Sequence, residues 1–487
     1  MEFFSFSPLF FSIYFAVLLV ALFIIVPYMT FWSLLSERHE ATFDVLNITT
    51  LSARRIVYGK VANALIQILI FFTVVSPFIA FTSMLQGFRI FNISMMMTVA
   101  FFISLALSSI GVAASTLSTN RLFQGIISVI LLGALFIFTA ILILNWNPWD
   151  GWMLELFASE PLVEQRLTQQ VLLFCGAICL FMLLYSWVAL EFGVSRITFE
   201  SDNRSTMMRI SCLFLFVALC VTFASITASS TYIDQASIRV FFLLLAFHLA
   251  IISYFVSCEP IKLSRRIHNR ISKIGIFNLF LLPFLPGAGR GFFYILLLIG
   301  IFLAYCFSID LIYQYRIGIG SSWRIADGKP LLMVGMVPGL FVLLYACIAI
   351  GLSSLLRHRF KLFHSGHIRL MVLVIGAAFA IIPFSVHYMI NYKNPRVFDY
   401  NLAMLFNPFA TISQVIDPIG TTYTLELILV GLGIATLFVS FLAIKPVIDS
   451  VAEVISKPQP SRLEDIERAM AERESASREV AQPQPTV

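Results

Sequence analysis

The sequence predicts an all-α protein, a polytopic transmembrane helical bundle of about eleven spans with the N-terminus outside and the C-terminus cytoplasmic. Three observations predict it. First, 59% of the 487 residues are hydrophobic and only 12% are charged, about half the charged share of an ordinary globular domain. Second, the apolar residues fall in continuous runs of roughly 20, the length a helix needs to cross a bilayer, without the alternation of a barrel strand. Third, Lys and Arg alternate in density between the segments that separate these runs. Lipid offers no hydrogen bonds to backbone groups, so runs of this kind cross it as helices.

The apolar windows fall at approximately 9–34, 61–85, 93–116, 122–144, 171–193, 210–229, 238–257, 291–312, 331–354, 370–389 and 424–447. The sixth and seventh are separated only by the short polar stretch Ser229 to Ser237. An odd number of spans puts the termini on opposite sides, and basic loops remain in the cytoplasm. With the N-terminus outside, 24 of the 32 Lys and Arg residues fall on the cytoplasmic side and 8 on the other. Without the C-terminal tail the bias is still 18 to 8.

The outside loop 145–170 carries Trp146, Trp149 and Trp152, suited to a membrane interface. In the outside loop 390–422, the apolar piece Leu402 to Val415 is too short to span, which makes it re-entrant or interfacial. Beyond Lys457, mixed charge at short spacing predicts a weakly ordered cytoplasmic tail over 451–487.

The first cytoplasmic loop, Ser36 to Lys60, is polar and free of Pro, with its one Gly at position 59. Glu37, Arg38, Glu40 and Asp44 crowd its start, while Phe43, Leu46 and Ile48 offer an apolar side. That pattern predicts a short amphipathic helix at the cytoplasmic surface. Leu51-Ser52 then offers a cap for a second helical stretch, from Ala53 into the second span.

This segment resembles the coupling region of type-2 ATP-binding-cassette (ABC) exporter permeases. In that family the loop runs from an acidic-basic start through Gly-Thr, a Leu-rich turn and Thr-Pro-Leu-Ser to a basic stretch ending in Gly-Lys. Here Glu37-Arg38 opens it, with Thr42 and Leu46 at the Thr and Leu positions. Thr49-Thr50-Leu51-Ser52 stands in the Thr-Pro-Leu-Ser slot, and Arg54, Ile56, Val57, Gly59 and Lys60 close it. The departures are His39 for a second Glu, Ala41 for Gly, Thr50 for Pro and Arg55 for an acidic residue. The resemblance covers about 25 residues. It implies the membrane-spanning permease subunit of an ATP-driven exporter, coupled to a separate ABC ATPase subunit. The implied coupling residues are Glu37, Arg38, Glu40, Thr42, Phe43, Leu46, Leu51, Ser52, Arg54, Gly59 and Lys60. The plainer alternative is a juxtamembrane helix whose Arg54, Arg55 and Lys60 hold anionic lipid.

No G-x-x-x-x-G-K-[ST] phosphate loop occurs, so ATP hydrolysis is expected in a separate partner subunit and not in this chain. Gly287-Ala288-Gly289-Arg290-Gly291 lacks the Lys and Ser/Thr of such a loop and reads as a turn into the eighth span. Neither HExxH nor Gly-x-Ser-x-Gly appears, and no cofactor or metal is expected. His358, His364 and His367 lack acidic companions and read as part of a basic anchor. The seven cysteines read as small apolar fillers. Ionisable residues inside spans are functional suspects. His248 is the one placed deep, and a hydrogen bond to a neighbouring helix is the expected role.

Spans 7 to 11 follow the order of spans 1 to 5, with a long basic loop after the first span of each set (35–60 and 258–290). This predicts two permease-like halves, 1–200 with about five spans and 201–450 with about six, related by a pseudo-two-fold axis along the membrane normal. The loop 258–290 shows no clear match to 36–60, and its Arg265, Arg266, Arg270 and Lys273 also suit lipid headgroups. Besides the ATPase, membrane lipid and a second copy of the chain or a related permease are admissible partners; nucleic acid is not. Two other readings stay open: a multi-span enzyme acting on lipid-linked substrates, and a non-transport scaffold driven by an ABC ATPase. The expected location is a bacterial inner membrane.

Overall fold

A computed structural model describes residues 7–39, 52–86, 90–117, 121–144, 161–199, 202–229, 235–260, 263–264, 266–268, 281–317, 330–359, 365–390, 400, 402–416, 425–455 and 470. Among these there is no strand, and eleven helices are long and apolar enough to cross a membrane. The fold class is therefore all-α and multi-pass.

The first span is two helices, α1 (Ser7–Val20) and α2 (Val26–His39), joined by one π-helical turn, Ala21–Ile25. Pro27 explains the turn. It has no N–H, so in the wider register the Leu22 carbonyl has no donor five residues on. Ser104 of a neighbouring helix supplies one, at 2.7 Å. The second and third spans are α3 (Ala53–Gln86) and α4 (Ile90–Ser115). The fourth and fifth are α5 (Arg121–Leu144) and α6 (Pro161–Ile197). Next come α7 (Thr206–Ser229), α8 (Gln235–Ser257), α9 (Ala288–Ile317), α10 (Leu331–Arg359) and α11 (Ser365–Ile390). The short α12 (Pro408–Ile416) precedes the last span, α13 (Leu425–Ile455).

Several helices outrun their apolar windows. α2 continues to His39 because Ser36, Glu37, Arg38 and His39 contain no helix breaker. The loop expected from Ser36 thus opens as the last turn of the first span. α6 likewise starts at Pro161, inside the expected outside loop, and α13 runs on to Ile455. Hydropathy marks where lipid lies; it does not mark where a helix ends.

The piece Leu402 to Val415 is folded back into the bundle. A 3-10 turn (Leu402–Phe406) leads to α12, and together they pack on α10, α11 and α13. Asn407 caps α12, its Oδ1 accepting from the N–H groups of Phe409 and Ala410 at 3.0 and 3.1 Å. Its Nδ2 donates to the Ala380 carbonyl of α11 at 2.8 Å. Buried Thr411 and Tyr400 join hydroxyls at 3.0 Å.

Packing in lipid rests on close contact and interhelical hydrogen bonds, because lipid tails are as apolar as the side chains they touch. The largest core joins α7 to α10 with α12 and α13, around Phe216, Phe242, Tyr294, Phe302, Met404 and Leu432. A second core joins α1 to α4 around Leu18, Leu22, Phe23, Ala64 and Ile68. At one membrane face a third core, with Leu34, Val57, Val61, Val112 and Leu190, ties α2, α3, α4 and α6 together. Gly111 lets α4 approach α2 closely: a Cβ there would lie 2.6 Å from the Pro27 carbonyl oxygen.

Candidate functional site

Two polar clusters lie at span ends, and the number of membrane-length helices between them puts both on one face. The first is built on the start of α3. Ser52 caps it, its Oγ accepting from the Arg55 N–H at 3.5 Å, as the sequence predicts. At the second residue of the helix, Arg54 Nη2 donates to both carboxylate oxygens of Glu191 on α6, at 2.7 and 2.8 Å. Tyr58, one turn further, donates to the same carboxylate at 3.0 Å. Glu191 is 3% exposed and Arg54 45%, so the arginine reaches from the aqueous face to a buried anion.

On the other side of α3, Lys60 pairs with Glu37 near the end of α2. Its Nζ also donates to the Ser33 hydroxyl at 3.0 Å and the Ser33 carbonyl at 3.2 Å. The two ends of the 36–60 segment are therefore fastened to each other and to α6. Gly59 faces open space, with nothing within 4 Å of the position a Cβ would take. Of the remaining predicted residues, Arg38 lies in α2 and Ser52 at the head of α3. Glu40, Thr42, Phe43, Leu46 and Leu51, with the amphipathic helix expected from them, lie outside the described residues.

The second cluster surrounds the turn into α9. Gly287 has φ of 127°, in the left-handed region that glycine adopts without strain. This is the turn read from the glycine-rich stretch. Arg209, near the start of α7, is 2% exposed. Its Nη1 donates to the carbonyls of Pro283 and Leu285 at 2.7 and 2.6 Å, and its Nη2 to Glu259 at 2.7 Å. Glu259 also accepts from the Gly287 N–H at 2.9 Å. The buried Tyr294 donates to the Arg209 carbonyl at 2.7 Å and lies under its guanidinium. Arg290, fully buried, donates to Glu453 of α13 at 3.0 Å and to the carbonyls of Ser450 and Pro286 at 3.1 and 2.7 Å. A buried charge persists only when paired and hydrogen-bonded, and both arginines meet that demand. Exposed Arg266 pairs at 3.3 Å with Asp202.

Glu191, Glu259 and Glu453 escape sequence reasoning. Each stands singly near a span end, where a carboxylate ordinarily reaches water. A usable signal is the reciprocal one: Arg209 and Arg290, near span starts, require partners once buried.

Within the membrane, His248 of α8 accepts from the Tyr185 hydroxyl of α6 at 2.6 Å, while its Nδ1 faces the Leu244 carbonyl at 2.7 Å. Both ring nitrogens are engaged, matching the expected interhelical hydrogen bond. Asp310 of α9 accepts from the N–H groups of Leu331 and Leu332 at 2.8 and 2.9 Å, covering donors that the start of α10 leaves open.

These arrangements fasten helices to one another. Among the described residues no three His, Cys, Asp or Glu side chains gather as metal ligands. Comparison with family models, curated protein sequences and solved structures returned no match.

Proposed function

We propose that this chain is the membrane-spanning permease subunit of an ATP-driven ABC exporter and works with a separate ATPase subunit. The observation that carries the reading is the 36–60 segment: its residue order resembles the coupling region of type-2 permeases, and it links the first two spans. Its anchoring supports the reading. Lys60 holds Glu37 and Ser33, and Arg54 holds Glu191. A push delivered to residues 40–51 passes through these contacts to α2, α3 and α6 together. A lever needs such fixed points, because a segment held only by lipid headgroups absorbs the push by sliding.

The test is co-purification of the full chain from its native membranes in mild detergent. An ATPase subunit is expected to accompany the wild-type chain. It should be lost from a variant combining Glu40→Arg, Phe43→Ala and Leu46→Ala, which leaves the anchoring residues untouched. Retention of the ATPase by that variant sinks the assignment of the coupling segment. Absence of any ATPase from the wild-type preparation sinks the permease reading.

A further inference from the structure

We infer that the first span with α3 to α6, and α8 to α11 with α13, are two copies of one five-span unit. They run the same way through the membrane, each is closed at the same face by an equivalent arginine–glutamate clasp, and α7 is an added helix between them. This goes beyond the proposed function and does not depend on it.

The packing pattern is the first support. In the first set the opening span packs on α3, α4 and α5; α3 packs on α4 and α6; α4 packs on α5 and α6. In the second set α8 packs on α9 and α10; α9 packs on α10 and α13; α10 packs on α11 and α13. The remaining pair, α8 with α11, meets through Cys258, Ile368 and Val372 and through the Tyr254 hydroxyl, which donates to the Arg369 carbonyl at 2.7 Å. Every contact of the first set thus has its counterpart. The two most extensive helix contacts in the described structure, α4 with α6 and α10 with α13, occupy the same place in each set.

The polar landmarks are the second support, and they are independent of packing. Arg54 stands at the head of the second helix of its set and pairs with Glu191 near the end of the last; Arg290 and Glu453 do the same in the other set. A tyrosine follows each arginine by one helical turn, Tyr58 and Tyr294. Near the end of the first helix of each set a glutamate also bonds to the segment that carries the second, two turns into α3 in one set and one residue before α9 in the other. Glu37 pairs with Lys60, and Glu259 accepts from the Gly287 N–H. The separation between counterparts grows steadily along the chain: 222 residues for Glu37 and Glu259, 236 for Arg54 and Arg290, 262 for Glu191 and Glu453. Two copies whose loops have gained residues in the second behave this way. An arginine at a helix start or a glutamate at a span end is common taken singly. An arginine and a glutamate that join the second helix of each set to the last, with a tyrosine one turn after the arginine both times, are not.

The direction follows from parity. Six membrane-length helices, α3 to α8, separate Arg54 from Arg290, so both clasps lie on one face and the copies are parallel. The clasps have since diverged. Glu191 is the buried member of the first and Arg290 of the second, and Tyr294 now donates to the Arg209 carbonyl.

An electron cryo-microscopy structure of the full chain in a lipid nanodisc tests this. Superposing the first five spans on α8 to α11 and α13 is expected to bring Arg54, Tyr58 and Glu191 onto Arg290, Tyr294 and Glu453 without reversing helix direction. A best superposition that pairs other helices, or that requires reversal, overturns the inference. A second measurement needs no new fold determination. Single cysteines at exposed Arg55 and at Arg266, which lies between α8 and α9, in a chain whose seven native cysteines are replaced by alanine, report the sides of the two clasps. Labelling of both by an impermeant thiol reagent from the same side is expected; labelling from opposite sides overturns the parallel arrangement.

Discussion

Arg54 Nη2 lies 2.7 and 2.8 Å from the two carboxylate oxygens of Glu191, across 137 residues of chain, and the two partners differ sharply in exposure. The difference sets an asymmetry. Arg54→Ala strands a carboxylate that is 3% exposed with only Tyr58 to donate to it, at a cost of about 3 kcal/mol. Glu191→Ala frees an arginine that is already 45% exposed and can turn to water, so its cost is about 1 kcal/mol. Thermal unfolding of the purified variants in detergent should rank Arg54→Ala clearly below Glu191→Ala. Equal losses would mean that the carboxylate is not buried in the membrane-embedded protein.

The pair Arg290–Glu453 predicts the opposite ranking. Here the arginine is fully buried and the glutamate 27% exposed. Glu453→Ala removes the carboxylate to which the buried guanidinium donates, at a cost of about 3 kcal/mol. Glu453→Gln keeps an acceptor oxygen for Arg290 and should recover part of that loss. The same unfolding measurement decides it: the order should be Glu453→Ala least stable, Glu453→Gln intermediate, wild type highest. If Gln is no better than Ala, the hydrogen bond does not contribute and charge alone accounts for the pairing.

What was legible in the sequence follows from what lipid demands. Eleven windows of about 20 apolar residues became eleven membrane-length helices, because a bilayer enforces that length on each crossing. Ser52 as a cap and Gly287 as a turn were readable too, since each acts through its own backbone neighbours. The clasps were not. Glu191 becomes significant only when α6 is placed beside α3, and no local pattern announces a partner 137 residues away. The continuation of α2 to His39 was missed for a different reason: helix propensity persists beyond the point where hydropathy falls. The predicted coupling residues split accordingly. Lys60, Glu37 and Arg54 hold helices to one another; Glu40, Thr42, Phe43, Leu46 and Leu51 lie outside the described residues.

Asn407 is the hinge of the folded-back segment. Its side chain covers the two N–H groups at the head of α12 and also donates to the Ala380 carbonyl. Asn407→Ala removes both functions; the lost cap alone costs about 1 kcal/mol. Asn407→Asp retains the cap but loses the Nδ2 donor. Hydrogen exchange over 402–416 should therefore rise most for Ala, less for Asp, and stay near wild type across α1 to α6. Uniform acceleration across the whole chain would show that this segment is not a separately stabilised element.

Gly111 and Gly59 predict opposite outcomes for one substitution. A Cβ at Gly111 would lie 2.6 Å from the Pro27 carbonyl oxygen, a backbone atom that no side-chain rotation can move. Gly111→Ala therefore separates α4 from α2, at a cost of about 1–3 kcal/mol, and weakens the contact beside the π turn. Gly59 has nothing within 4 Å of its would-be Cβ and sits inside α3. Gly59→Ala gains helix propensity there, about 1 kcal/mol, and should raise the unfolding temperature. Paired with ATPase co-purification, this variant separates two roles that the family resemblance leaves joined. If the proposed ATPase accompanies the chain, a more stable variant that still holds it makes Gly59 dispensable to docking. A more stable chain that releases it would show that the partner needs the bare backbone at position 59.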